Sequence, residues 1–86
     1  MLEVWANLPG VWIGDKFIRL SPQRAKALAV LVKYMGKTVN PEQIAPCKAL
    51  NHQRNIIANL RLALLHTDYA IKAEEDGYRL VNTGSH

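Results

Sequence analysis

The chain shifts between two hydrophobic rhythms. At its start Leu2, Val4 and Ala6 alternate with Glu3, Trp5 and Asn7, the two-residue period of a strand. Pro9-Gly10 marks a turn, Val11-Trp12-Ile13 is an apolar β-prone run, Gly14-Asp15 marks a second turn, and Phe17-Ile18-Arg19-Leu20 is a further strand. Residues 1–20 therefore predict a small antiparallel sheet. The rhythm then lengthens. Ser21-Pro22 sets an N-cap residue before a proline at the first helical position, where the missing N–H leaves no bond unmade. Ala25, Leu28, Ala29, Leu31, Val32 and Met35 recur at helical spacing, and Gly36 stands where that helix ends. Asn40-Pro41 repeats the cap-then-proline signal, with Glu42 in the first turn, where the helix dipole favours a carboxylate. Pro46 stops this short helix after Ile44-Ala45. A third helix is predicted over about 51–66, with Ile57, Leu60 and Leu64 on one face and Ile56 and Ala63 beside them. Residues 69–73 and 78–81 flank a turn at Glu74-Glu75-Asp76-Gly77 and read as a hairpin. The expected architecture is α+β: one domain over residues 1–83 with an N-terminal antiparallel sheet, three helices and a C-terminal β-hairpin. Gly84-Ser85-His86 resembles the start of a tag and is left out of that domain.

Composition narrows the function classes. With 49% hydrophobic and 21% charged residues, the chain has the make-up of a folded domain rather than a disordered one. Its 86 residues build only a modest core, which leaves little room for a deep substrate pocket. No apolar run reaches the roughly 18 residues that span a bilayer. The N-terminus lacks the positively charged start of a secretory signal, and the single Cys47 permits no intrachain disulfide. A cytoplasmic protein with no membrane partner is the expectation. The net charge of +4 is unevenly placed. Residues 1–20 are neutral. Arg24, Lys26, Lys33, Lys37 and Lys48 against Glu42, with Arg54 and Arg61, make the helical middle basic, whereas residues 67–86 carry a net negative charge. A basic middle attracts anionic partners such as nucleic acid and equally serves as a solvated surface.

Catalytic chemistry is missing. There is no glycine-rich phosphate loop, and the spacing of Cys47, His52 and His66 matches no ligand pattern. Cys47 reads as a small packed residue, and His66 suits the negative end of a helix. Glu74, Glu75 and Asp76 sit in an exposed turn without the cleft that acid–base work needs. No enzyme activity, metal, cofactor or small-molecule substrate is expected.

The order of elements and four stretches resemble the winged helix-turn-helix effector domain of OmpR/PhoB-type response regulators. Phe17-Ile18-Arg19-Leu20-Ser21 resembles that family's strand running into a Ser/Thr-capped first helix. The stretch Gly36-Lys37-Thr38-Val39-Asn40-Pro41-Glu42-Gln43-Ile44 resembles its turn into the second helix, Ile57-Ala58-Asn59-Leu60-Arg61-Leu62-Ala63-Leu64 the core of its recognition helix, and Ala70-Ile71-Lys72 with Asp76-Gly77-Tyr78-Arg79-Leu80 its wing. The likeness spans residues 2–81. It implies a DNA-binding transcriptional regulator, with Tyr78 packed on the third helix and Arg61 serving packing, backbone contact or both. The chain differs in three ways. It carries no receiver segment, so phosphorylation control in cis is not expected. Pro46-Cys47-Lys48-Ala49-Leu50 replaces the family's tryptophan-containing loop, and the wing tip is acidic where the family offers arginine or glycine.

At about 100° per residue, a helix with Ile57, Leu60 and Leu64 inward turns Asn51, Asn55, Ala58, Asn59 and Leu62 outward, with Arg54 and Arg61 on the flanks. Asn pairs bidentately with adenine, and Ala or Leu meets a thymine methyl. Arg54 suits a phosphate or guanine. Thr38 and Asn40, near the start of the second helix, suit phosphate contact or capping. The expected DNA-binding set is therefore Asn51, His52, Arg54, Asn55, Ala58, Asn59, Arg61, Leu62, Thr38 and Asn40. Double-stranded DNA is the expected partner, with a second copy or another regulatory protein needed for tight operator binding. A competing expectation is a winged-helix adaptor that binds protein through the acidic wing and the aromatic sheet. Trp5, Trp12 and Phe17 are expected to pack on the first helix as core, or else to face a partner.

Overall fold

Two caps set the helical frame. The computed structural model describes residues 2–5, 9–45 and 49–83, so the expectations for Ala6, Asn7, Pro46, Cys47, Lys48 and residues 84–86 lie outside the described residues. Helix α1 runs Pro22–Lys33, and the Ser21 hydroxyl accepts from the Arg24 N–H at 3.3 Å. Helix α2 is the single turn Pro41–Ile44. Asn40 Oδ1 accepts from the Glu42 N–H at 2.8 Å, and Gln43 Oε1 accepts from the Asn40 N–H at 3.4 Å, a reciprocal cap. Helix α3 runs Leu50–Ala63, begins at Ala49 without a side-chain cap, and ends before His66, whose φ of 68° leaves the helical region. Among the described residues, no helix is long and apolar enough to cross a membrane.

Strands β1 (Leu2–Trp5), β2 (Gly10–Ile13) and β3 (Lys16–Arg19) form one antiparallel sheet in the order β1-β2-β3. The second sheet has the order β4-β6-β5, where β4 is Thr38–Val39, β5 Tyr69–Glu74 and β6 Gly77–Asn82. Strand β4 was missed in the sequence. Thr38 and Val39 pair with Arg79 and Tyr78, and two residues between a glycine turn and a capped helix carry no visible period. The hairpin turn is also tighter than expected. Glu74 pairs with Gly77, leaving only Glu75 and Asp76 in the loop.

One core joins both sheets to the helices. Val11 of the first sheet, Leu28 and Leu31 of α1, Val39, Ile57 and Leu60 of α3, and Leu80 of β6 are all buried. In α1 the buried set is Ala25, Ala27, Leu28 and Leu31, whereas Ala29 faces solvent despite its helical spacing and Met35 is exposed in the turn after the helix, which ends at Lys33 rather than at Gly36. Tyr78 packs against this core.

The aromatic residues correct a second expectation. Register places Val4, Val11 and Ile18 in one row, toward the core, and Trp12 and Phe17 in the next, on the opposite face. Trp12 and Phe17 lie 5.1 Å apart between centroids with their rings tilted by 51°, and Trp5 meets them edge-on at 6.1 and 6.4 Å. Trp12 and Phe17 form an outer cluster rather than a layer against α1, whereas Trp5, at its edge, borders the flank of α1. Gly10 is required beneath it, because a Cβ there would lie 2.6 Å from the Ile18 carbonyl oxygen and collide with the Phe17 ring.

Gly77 is the tightest backbone approach between the hairpin and β4. A Cβ there would overlap the Val39 carbonyl. Gly77→Ala should force β6 away from β4 at a cost of about 2 kcal/mol, a fall in Tm on the order of 10 °C for a domain of this size. Thermal unfolding followed by circular dichroism measures it, and a Tm within a degree of the parent contradicts this packing.

Candidate nucleic-acid interface

Helix α3 presents the largest set of site residues expected from the sequence. Ile56, Ile57, Leu60 and Leu64 are buried, and Asn51, Asn55, Ala58 and Leu62 emerge together on the solvent side. Leu62 is 68% exposed. The sequence Leu50–Ala63 contains His52, Arg54 and Arg61 and no carboxylate, so no acid on the helix opposes an anion approaching this face.

The flanks are less free than the middle. Asn59, expected outward, is half-buried, and its Nδ2 donates to the Asn55 carbonyl at 2.8 Å, one turn back. His52 Nε2 lies 3.1 Å from Gln23 Oε1, which ties the start of α3 to the start of α1. On the other flank Arg61 Nε donates to the Ile71 carbonyl at 3.2 Å. That bond caps the outer edge of β5, so one donor of Arg61 serves the fold. Asn40 is committed to its cap, whereas Thr38 is exposed on β4.

Gln53 was not marked by the sequence pattern. It is 5% exposed, and its Nε2 donates to the Ala45 carbonyl at 3.3 Å. This bond satisfies a carbonyl at the end of α2 and helps fix the angle between α2 and α3. The signal was present in the sequence, since position 53 falls on the Ile57–Leu60–Leu64 stripe, four residues before Ile57.

The hairpin tip bounds the site electrostatically. A depression of about 230 Å³ lies between Pro41, Arg54 and the tip residues Ala73–Tyr78. Arg54 shares the wall of this depression with Glu75 and Asp76. Glu74 is bound to Arg79 at 3.1 Å, the one salt bridge among the described residues. The tip thus carries two unpaired acids rather than three. Both are exposed, so salt screens their field over roughly 10 Å.

No family model matches the chain, and no curated protein matches its sequence.

Arg61→Ala removes the Nε–H donor from the Ile71 carbonyl and uncovers the β5 edge. Stability should fall by about 1 kcal/mol. Hydrogen exchange of the Ala70–Lys72 amides should quicken before that of the α1 amides. Unchanged exchange and Tm would show that the bond carries no structural load.

Proposed function

We propose that the chain is a winged helix-turn-helix domain that binds double-stranded DNA sequence-specifically, as a cytoplasmic transcriptional regulator without enzymatic activity or cofactor. In this reading α2 and α3 form the helix-turn-helix, α3 enters the major groove and the β5–β6 hairpin is the wing. The observation that carries it is the acid-free outward face of α3, with Asn51, Asn55, Ala58 and Leu62 exposed together.

The roles divide by position. Asn55, at the centre of the exposed row, is the first residue for bidentate pairing with adenine, and Asn51 the second. Ala58 and Leu62 offer apolar contact to thymine methyl groups. Asn59 keeps one amide N–H beyond its bond to Asn55, which suits backbone contact better than bidentate base reading. Arg54 and Thr38 suit phosphates, His52 reaches the backbone only in competition with Gln23, and Arg61 combines packing with contact through its outer nitrogens. Asn40 acts as a cap rather than a contact. A domain this small grips few phosphates, so tight operator binding calls for a second copy or a regulatory partner. The adaptor reading draws on the outward aromatic cluster and the acidic tip, and it predicts no salt-dependent DNA affinity.

Two expected outcomes test this reading. A salt titration of binding to random-sequence duplex should show a log–log slope that falls by about 1 in Arg54→Ala. Asn55→Ala should instead erase preference at one position in a selection of bound sequences, with discrimination of about 1–3 kcal/mol lost there. No measurable duplex binding at low salt favours the adaptor.

The tip supplies a separate prediction. Glu75→Gln with Asp76→Asn leaves the Glu74–Arg79 pair intact and removes the other two acids that share the depression with Arg54. Non-specific duplex affinity should rise, most at low salt. A fall in affinity means that the acids order the wing or touch bases.

A further inference from the structure

Between the edge strand β1 and the first half of α1 lies an apolar cavity of about 130 Å³, lined by Val4, Trp5, Pro22, Ala25, Lys26 and Ala29. The DNA reading makes no use of it. Two alanines one turn apart create the space, since a longer side chain at position 29 would fill it. Trp5 forms one wall and is 42% exposed. Its ring is held edge-on by Trp12 and Phe17, and its Nε1 donates to Glu3 Oε1 at 2.5 Å, so it is kept from folding over the cavity. An apolar cavity of about 150 Å³ holds a benzene-sized group, so this one accepts a single aliphatic side chain.

The surroundings define the occupant. Among the described residues, β1 pairs only with β2, which leaves its outer backbone edge open to an added strand. Lys26 stands at the cavity rim, and Lys33 lies one heptad further along the same stripe of α1. Helix α1 contains no carboxylate, and Glu3, the one acid on β1, is already bonded to Trp5. We propose that this groove docks an extended acidic segment of a partner protein. One aliphatic side chain enters the cavity, the segment's backbone lies along β1, and its carboxylates meet Lys26 and Lys33.

The test uses the whole chain and a probe peptide, acetyl-Glu-Glu-Leu-Glu-Glu-amide, titrated by calorimetry at low salt. Binding with a Kd below about 1 mM is expected. Both Ala29→Leu, which fills the cavity from an exposed position, and Lys26→Glu should weaken it about tenfold or more. Replacing the peptide's leucine by serine, or its glutamates by lysines, should do the same. Thermal melts check that both variants stay folded. Absence of binding at 2 mM probe, or binding indifferent to Ala29→Leu, overturns the proposal. Self-association abolished by Ala29→Leu would assign the groove to a second copy, and competition by duplex DNA would make Lys26 a phosphate contact. Either result overturns the acidic-peptide assignment while leaving the α3 reading untouched.

Discussion

Everything proposed for the outward face of α3 depends on the burial of its inward stripe. Ile56, Ile57, Leu60 and Leu64 close the core against residues that include Leu28, Leu31 and Leu80. Each such side chain contributes about 2 kcal/mol when removed from water. Turning the helix over would therefore forfeit on the order of 8 kcal/mol, comparable with the whole stability of a small domain. The rotation of α3 is thus fixed by hydrophobic burial, and Asn51, Asn55, Ala58 and Leu62 face solvent as a consequence. The buried amide of Gln53 adds direction, since its bond to the Ala45 carbonyl fixes where α2 ends relative to α3.

The hairpin is placed by closer tolerances and smaller energies. Gly77 lets β6 lie directly on the Val39 carbonyl, Arg61 reaches from α3 to the β5 edge, and Gly36 donates to the Leu80 carbonyl at 3.0 Å. These contacts hold an acidic tip beside Arg54. Its field opposes the basic flank of α3, and the salt bridge of Glu74 to Arg79 leaves two of the three tip acids, Glu75 and Asp76, to exert it. The balance between tip and flank is electrostatic and exposed, so ionic strength shifts it more readily than the hydrophobic core.

How far the sequence foretold this depends on whether the signal was local. The Ser21-Pro22 and Asn40-Pro41 helix starts, the hairpin and the Ile57–Leu60–Leu64 stripe were legible because each rests on a cap, a turn or a period within a few residues. Strand β4 was not, because two residues show no period and their pairing comes from Tyr78 and Arg79 far along the chain. The aromatic residues misled for a related reason. Trp5, Trp12 and Phe17 are the largest apolar residues of the first sheet, yet the pleat sends Val4, Val11 and Ile18 inward instead. For the candidate site, the exposed middle of α3 followed from helical geometry alone. The commitments of Asn59, His52, Arg61 and Asn40 did not, because their partners are fixed by rotamers and by packing between elements.

The most direct test of the central claim is an amide NMR titration of the labelled chain with a random-sequence duplex at low salt. The account predicts that the largest shifts cluster at Asn51, Arg54, Asn55, Ala58 and Leu62, with the first sheet unmoved. Shifts centred on β1, β2 and β3, or a spectrum unchanged by excess duplex, would contradict it.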